Sequence, residues 1–164
     1  MAFVLGYLYI FIIMKNENGE NNPQWEKIPR YKSCFVCGPD NDYGLQLAFE
    51  ARGDEVRTKW VPKEIHCGYV RTVHGGIIAA VLDEIMGWTG WLRYRKYYFT
   101  AEVTIRYKKP IISNEKYEVV AKLTNAARKL YTAEASIIDD AGEVAAKATG
   151  KYIVREDIEP SDYY

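Results

Sequence analysis

Apolar and polar positions begin to alternate at residue 44. Leu45, Leu47 and Phe49 alternate with Gln46, Ala48 and Glu50, and Val56, Thr58 and Trp60 alternate with Arg57 and Lys59 before Pro62. Period-two spacing predicts two half-buried strands here. The pattern then changes. Gly75 to Arg93 (GGIIAAVLDEIMGWTGWLR) is nearly continuous apolar sequence, too long for a strand, and it predicts one helix buried on several faces. Alternation returns afterwards. Phe99, Ala101, Val103, Ile105 and Tyr107 share a face opposite Thr100, Glu102, Thr104, Arg106 and Lys108, with Pro110 ending the run. Tyr117, Val119, Ala121 and Leu123 follow, then Tyr131, Ala133, Ala135 and Ile137. After a turn at Asp139–Gly142 come Val144, Ala146, Ala148, Gly150, Tyr152 and Val154. The connections after the helix are mostly short and lack a helical period, so these strands pair antiparallel. A sheet of about six strands has one apolar face, and the helix is the only element able to cover it. The expected class is α+β, an antiparallel sheet wrapped around one long central helix.

Composition narrows the setting. With 164 residues, 48% of them hydrophobic and 27% charged, the chain is an ordinary globular sequence of one domain. Lys and Arg number 22 against 22 Asp and Glu, and a net charge of zero argues against a nucleic-acid partner. Three cysteines are too few and odd in number for a disulfide framework, which points to a reducing cytoplasm. The expected organisation is an apolar segment and polar linker over 1–30, the domain over 31–155 and a tail over 156–164. Ala2–Met14 is apolar but shorter than the ~20 residues a spanning helix needs. Three readings stand for it: translation from upstream of a start at Met14, an export or membrane signal, or a packed N-terminal element. No membrane partner is expected of the domain itself.

The chemistry gathers at and within the helix. His74-Gly75-Gly76 stands where the helix begins, and glycines there expose backbone N–H groups that no helical carbonyl accepts. With the positive end of the helix dipole, they suit a developing oxyanion. The plainer alternative is a glycine pair that lets helix and sheet pack closely. Asp83 follows nine residues after His74, inside an apolar helix where an ionised group is costly unless paired or used. Gly76, Ala80, Asp83, Gly87 and Gly90 form one stripe at helical spacing. Minimal side chains around a carboxylate leave room for a ligand or a close partner helix. Glu84 points about 100° away and is expected to pair with a basic group or reach the helix edge. From Gly75 to Asp83 the rise is about 12 Å, whereas reacting groups lie ~3–3.5 Å from their centre. One carbonyl served by both therefore needs two chains, and a homodimer is expected.

His74-Gly75-Gly76 with Asp83 resembles the hotdog-fold acyl-CoA thioesterases, particularly their phenylacetate-pathway branch. Cys34-Phe35-Val36-Cys37-Gly38, with Asn41 and Gly44-Leu45 after it, is similar to a signature common there, as is Thr100–Tyr107 ending near Pro110. The resemblance covers about residues 31–155. It implies that the Gly75 N–H polarises a thioester carbonyl, with Asp83 as general base on water or as nucleophile through an anhydride. His74 would border the carbonyl site, and Thr100 matches a Ser/Thr position that holds the attacking water. Many relatives carry Asn or Gln shortly before His-Gly-Gly. Here His66-Cys67-Gly68 stands instead, so His66 and Cys67, with Gly76, Glu84 and Arg71, are the candidate substrate contacts. The proline that usually follows the Asn is Asp42. The implied activity is hydrolysis of an acyl-CoA or related thioester, without a cofactor, by a homodimer or dimer of dimers. The rival readings are a non-catalytic acyl-CoA-binding domain and a hotdog hydratase or dehydratase.

Weaker features remain. Cys34-x-x-Cys37 with Cys67 and a histidine is a conceivable zinc set, although two thiols packing a turn is the commoner arrangement and no metal is expected. Trp88 and Trp91 suit an acyl pocket or plain core. Arg71, Arg128 and Lys129 are candidate partners for coenzyme A phosphates or ordinary solvated charges.

Overall fold

The computed structural model describes residues 24–157; the segment 1–13 and the end of the expected tail, 158–164, lie outside the described residues. The elements in chain order are β1 (Glu26–Lys27), β2 (Glu50–Arg52), β3 (Glu55–Trp60), β4 (Cys67–Tyr69), β5 (Thr72–Val73), α1 (Gly75–Trp88), α2 (Trp91–Tyr94), β6 (Tyr98–Tyr107), β7 (Tyr117–Ala126), β8 (Leu130–Asp139) and β9 (Val144–Val154). Seven strands form one antiparallel sheet in the order β1-β2-β3-β7-β8-β9-β6, and β4 and β5 make a small hairpin beside it.

Helix α1 crosses the apolar face of this sheet and touches β3, β6, β7, β8 and β9. Val81, Leu82, Ile85 and Met86 are completely buried against Val119, Ala133, Ile137 and Tyr152 and their neighbours in one core. Burying each large aliphatic side chain contributes about 1.5–3 kcal/mol, so this face fixes the helix on the sheet. The arrangement is the hotdog fold, a sheet wrapped around one helix.

Four details depart from the sequence pattern. The sheet begins at Glu26, inside the expected linker, and Ile28 is buried. Leu45–Phe49 is irregular and outside the sheet, with Gln46 at φ of +53°; Leu45 and Leu47 donate to the carbonyls of Phe35 and Val36, and the strand starts at Glu50. The turn at Gly53 explains this shift, since its φ of +59° closes β2 and β3 into a hairpin. The helix ends at Trp88 rather than Arg93: the Thr89 hydroxyl donates to Met86 O at 2.7 Å, and after Gly90 only the short α2 follows. Finally, β6 changes phase. Thr100 pairs with Tyr152 and Glu102 with Lys151, leaving Ala101 as an extra residue. This bulge lets Thr100 and Val103 both face inward, where strict alternation puts them on opposite sides.

Three tyrosines lock α1 from the sheet. Tyr152 donates to Asp83 O at 3.1 Å, Tyr98 to Glu84 O at 3.3 Å, and Tyr131 to Gly87 O. A Cβ on Gly87 would lie 2.0 Å from the Tyr98 ring, and one on Gly90 2.7 Å from that of Tyr131. The distal half of the small-residue stripe is therefore filled by tyrosine rings, not left free for a ligand or partner helix. Only Gly76, Ala80 and Asp83 remain open to such a role.

Candidate active site

The start of α1 is capped by its own sequence. His74 is the N-cap residue in extended conformation, and its Nδ1 accepts from the Gly76 N–H at 2.9 Å. The Gly76 amide is thus engaged. Among the described residues nothing accepts from the Gly75 N–H, so the free donor of this turn is Gly75. Tyr107, from β6, donates to Gly75 O at 3.0 Å and ties this end to the sheet.

His66 lies behind the turn. Its carbonyl accepts from His74 N–H at 2.8 Å, and its Nδ1 accepts from Lys63 N–H at 3.0 Å. Its ring is buried, which together with the nearby Lys63 charge lowers its pKa and favours the neutral imidazole. Cys67 pairs with Val73 in the β4–β5 hairpin. Arg71 occupies the turn of that hairpin with φ of +58°, is 68% exposed, and reaches Glu115 at 3.9 Å. An ion pair this exposed leaves the guanidinium accessible to a competing anion. Lys129 is paired with Glu156 at 2.6 Å.

The second centre is Asp83. Thr100 donates to its Oδ1 at 3.0 Å, with the same hydroxyl 3.3 Å from Oδ2, and the Tyr152 hydroxyl shares its one proton between Asp83 O and Oδ1, each at 3.1 Å. The bulge at Ala101 makes this possible by placing Thr100 directly across from Tyr152. Burial raises the Asp83 pKa above its ordinary value of 3.8, and the two hydroxyl bonds oppose that rise. Tyr152 was not evident as a site residue in the sequence; its inward register two residues after Gly150 is the one signal that marks it.

The opposing shifts set the pH dependence. If Asp83 acts as a general base it must be ionised, and the acidic limb of kcat/KM would then lie above the ordinary aspartate value. Tyr152→Phe removes a bond that favours the carboxylate and should move that limb to higher pH. A limb that stays put or moves down would exclude this role for the Tyr152 hydroxyl.

Glu84 lies on the neighbouring face, and no bond to the basic group that was one expectation for it is found among the described residues. It accepts from Trp88 Nε1 at 2.8 Å, and Cys34 Sγ lies 3.5 Å from the same oxygen. Burial and the adjoining Cys34 push its pKa up to about 7. The Cys34 thiol is lowered to about 5 by its bond with the Cys37 side chain and by the Cys37 and Val36 amides, against the opposing effect of burial; the Cys37 thiol is raised. Trp88 and Trp91 are buried and pack edge to face at 5.5 Å. The structure therefore forms three groupings: His66, Cys67, Arg71, His74, Gly75 and Gly76 at the helix start; Asp83 with Thr100 midway; and Glu84 with Cys34 and Cys37 on the adjoining face. A larger concavity of about 580 Å³ lies away from these groups, among Trp25, Arg57, Glu118, Lys122, Glu134 and Lys147.

Known proteins share this fold. Residues 71–146 match the family model of the thioesterase superfamily. A crystal structure described as a thioesterase superfamily protein superposes with a TM-score of 0.68 at 25% identity, over 76% of this chain and 61% of that one. A Streptococcus mutans protein bound to acetyl CoA gives 0.61 at 17% identity, over 66% and 88%. The E. coli PaaI protein from the phenylacetic acid degradation operon gives 0.63 at 12%, over 68% and 80%. The latter two likenesses establish the fold alone. No curated protein matches in sequence. The matched segment 71–146 holds the whole of α1, with Asp83, and Thr100, while Tyr152 lies beyond it.

Proposed function

We propose that this protein hydrolyses an acyl-CoA or a related acyl thioester to the free acid and the thiol. The observation that carries the reading is Asp83, a half-buried carboxylate held on one oxygen by two hydroxyls, with no basic group bonded to it among the described residues. A structural carboxylate in such surroundings would be expected to hold a cation. A base for water needs this orientation without neutralisation.

The reaction balances with these groups. Water attacks the thioester carbonyl carbon as Asp83 removes its proton, and the carbonyl oxygen becomes an oxyanion. Thr100 donates to Asp83, so its lone pairs remain to accept from that water. The Gly75 N–H faces the oxyanion, and collapse breaks the carbon–sulfur bond. The proton held by Asp83 then passes to the departing thiolate. General-base assistance contributes about 10²–10⁴-fold, and one preorganised oxyanion donor about 10²–10³-fold. Arg71 is the cation best exposed for the phosphates of coenzyme A.

Asp83 and Gly75 act on one carbonyl only if they come from two chains, because the helix separates them by about 12 Å. The surface supports association. Strand β6 stands at an edge of the sheet with Phe99 and Tyr107 each 50% exposed, and Ile65, Tyr69 and Val70 beside the helix start are 79%, 83% and 92% exposed. An open sheet edge together with exposed apolar side chains of this kind favours pairing with a second chain. Three free thiols suit the cytoplasm, and among the described residues no helix is long and apolar enough to cross a membrane.

The test is a hydrolysis screen over short, long and aromatic acyl-CoAs, following release of free thiol. Turnover of at least one class is expected. Saturable binding of acyl-CoA with no thiol release would make the domain a binding module and overturn the reading.

A further inference from the structure

The face of α1 beside Asp83, about 100° around the helix, carries a second group of chemically active side chains that hydrolysis does not use. Cys34 and Cys37 lie on the loop before β2, and Glu84 projects to them from the helix, 50 residues away in sequence from Cys34. Their Sγ and carboxylate atoms all lie within 4.8 Å of one another. A tetrahedral zinc ion bound by sulfur at 2.3 Å and carboxylate oxygen at 2.0–2.2 Å holds its ligand atoms about 3.5–3.8 Å apart. The separation of Cys34 Sγ from Glu84 Oε1 is 3.5 Å.

The loop is built to present thiolates. Cys34 Sγ accepts from the Val36 and Cys37 N–H groups, each at 3.3 Å, and the Gly38 N–H closes the turn onto Cys34 O at 3.0 Å. Backbone donors of this kind orient a thiolate ligand and offset its charge. Gly38 is required for that turn, since a Cβ there would meet Cys34 O at 2.4 Å. Trp88 fixes the carboxylate in the same way, donating to Glu84 Oε1 at 2.8 Å. A cavity of about 270 Å³ adjoins the three groups, bordered also by Trp88, Tyr98 and Arg155, and provides space for a fourth ligand.

We infer that Cys34, Cys37 and Glu84 bind a zinc ion whose fourth position opens to this cavity. The ligand set differs from the one the sequence suggests. Cys67 is held in the β4–β5 hairpin, and His66 turns its Nδ1 to the Lys63 amide, so neither joins the group. The ion would staple the loop at 34–38 to α1 at the residue next to Asp83. Binding replaces thiol protons with the metal and stabilises the folded chain according to its occupancy. The inference stands independently of the hydrolytic reading.

The test uses the full chain, fully reduced and stripped of metal, titrated with Co²⁺ and then with Zn²⁺. One Co²⁺ per chain is expected, with intense visible bands of tetrahedral geometry and thiolate-to-cobalt charge transfer, all bleached by Zn²⁺. Cys34→Ser and Cys37→Ser should each weaken binding by about a hundredfold or more, and Glu84→Gln by at least about tenfold. Cys67→Ser should leave the spectrum unchanged. In wild-type protein loaded with zinc, two of the three thiols should resist a thiol reagent until a chelator is added, a readout that needs no variant to fold. Failure of the reduced wild type to retain one Co²⁺ or Zn²⁺ per chain overturns the site. So does a spectrum lost with Cys67→Ser but kept with Cys34→Ser.

Discussion

Replacing Asp83 with asparagine is expected to lower kcat for thioester hydrolysis by about 10²–10⁴-fold while KM changes little. The amide keeps the shape of the carboxylate and still accepts from Thr100 and Tyr152, whose oxygens lie 3.0 and 3.1 Å from Oδ1. It loses the capacity to take a proton from water. Stability should move the other way. Burial raises the folded pKa of Asp83 above the unfolded value near 3.8, so the folded state binds this proton more tightly. The corresponding stability is present below that value and is lost as pH rises through the folded pKa. A neutral asparagine escapes the loss. The variant should therefore melt progressively higher than the wild type as pH rises through that window. Retained turnover, measured by thiol release, would remove Asp83 from the reaction.

Gly75→Pro is expected to lower kcat by about 10²–10³-fold without unfolding the chain. Proline has no N–H, so the substitution deletes the one free donor of the turn. The first helical position is where proline is best tolerated, because its N–H has no helical acceptor anyway. His74 before it already has φ −62° and ψ 134°, the extended geometry that a following proline requires. Gly76 keeps its bond to His74 Nδ1. Circular dichroism should show an intact fold, with binding of a non-hydrolysable acyl-CoA analogue preserved. Unchanged kcat in a folded variant would show that the oxyanion is stabilised elsewhere.

Much of the fold was legible in the sequence because the sheet obeys its period. Tyr117 to Leu123, Tyr131 to Ile137 and Ala146 to Val154 present every second residue to the core, as the alternation predicted. What escaped lacks a local signal. Strand β1 is two residues long, too short for any period. The bulge at Ala101 adds one residue to a strand of ordinary composition, yet it decides that Thr100 reaches Asp83. The separation of Gly75 from Asp83 could be read from helix rise alone. The partners of Glu84 could not, since Cys34 is distant in sequence and only folding of the loop onto α1 brings the two together. Helix spacing indicated where the glycine stripe lies but not that Tyr98 and Tyr131 fill half of it.

The most direct test of a site shared between two chains is subunit mixing. Asp83→Asn and Gly75→Pro are each expected to be nearly inactive alone. With two antiparallel helices, a mixed dimer holds one site with both defects and one with neither. Mixing the folded parents under conditions where exchange is demonstrated, for example by mass spectrometry of differently tagged chains, should restore activity. At equal input and random pairing, half of the dimers are mixed and carry one intact site each. The expected recovery is therefore about one quarter of wild-type turnover per chain. Activity that stays at the level of the parents despite exchange would mean that Asp83 and the Gly75 amide do not meet across two chains.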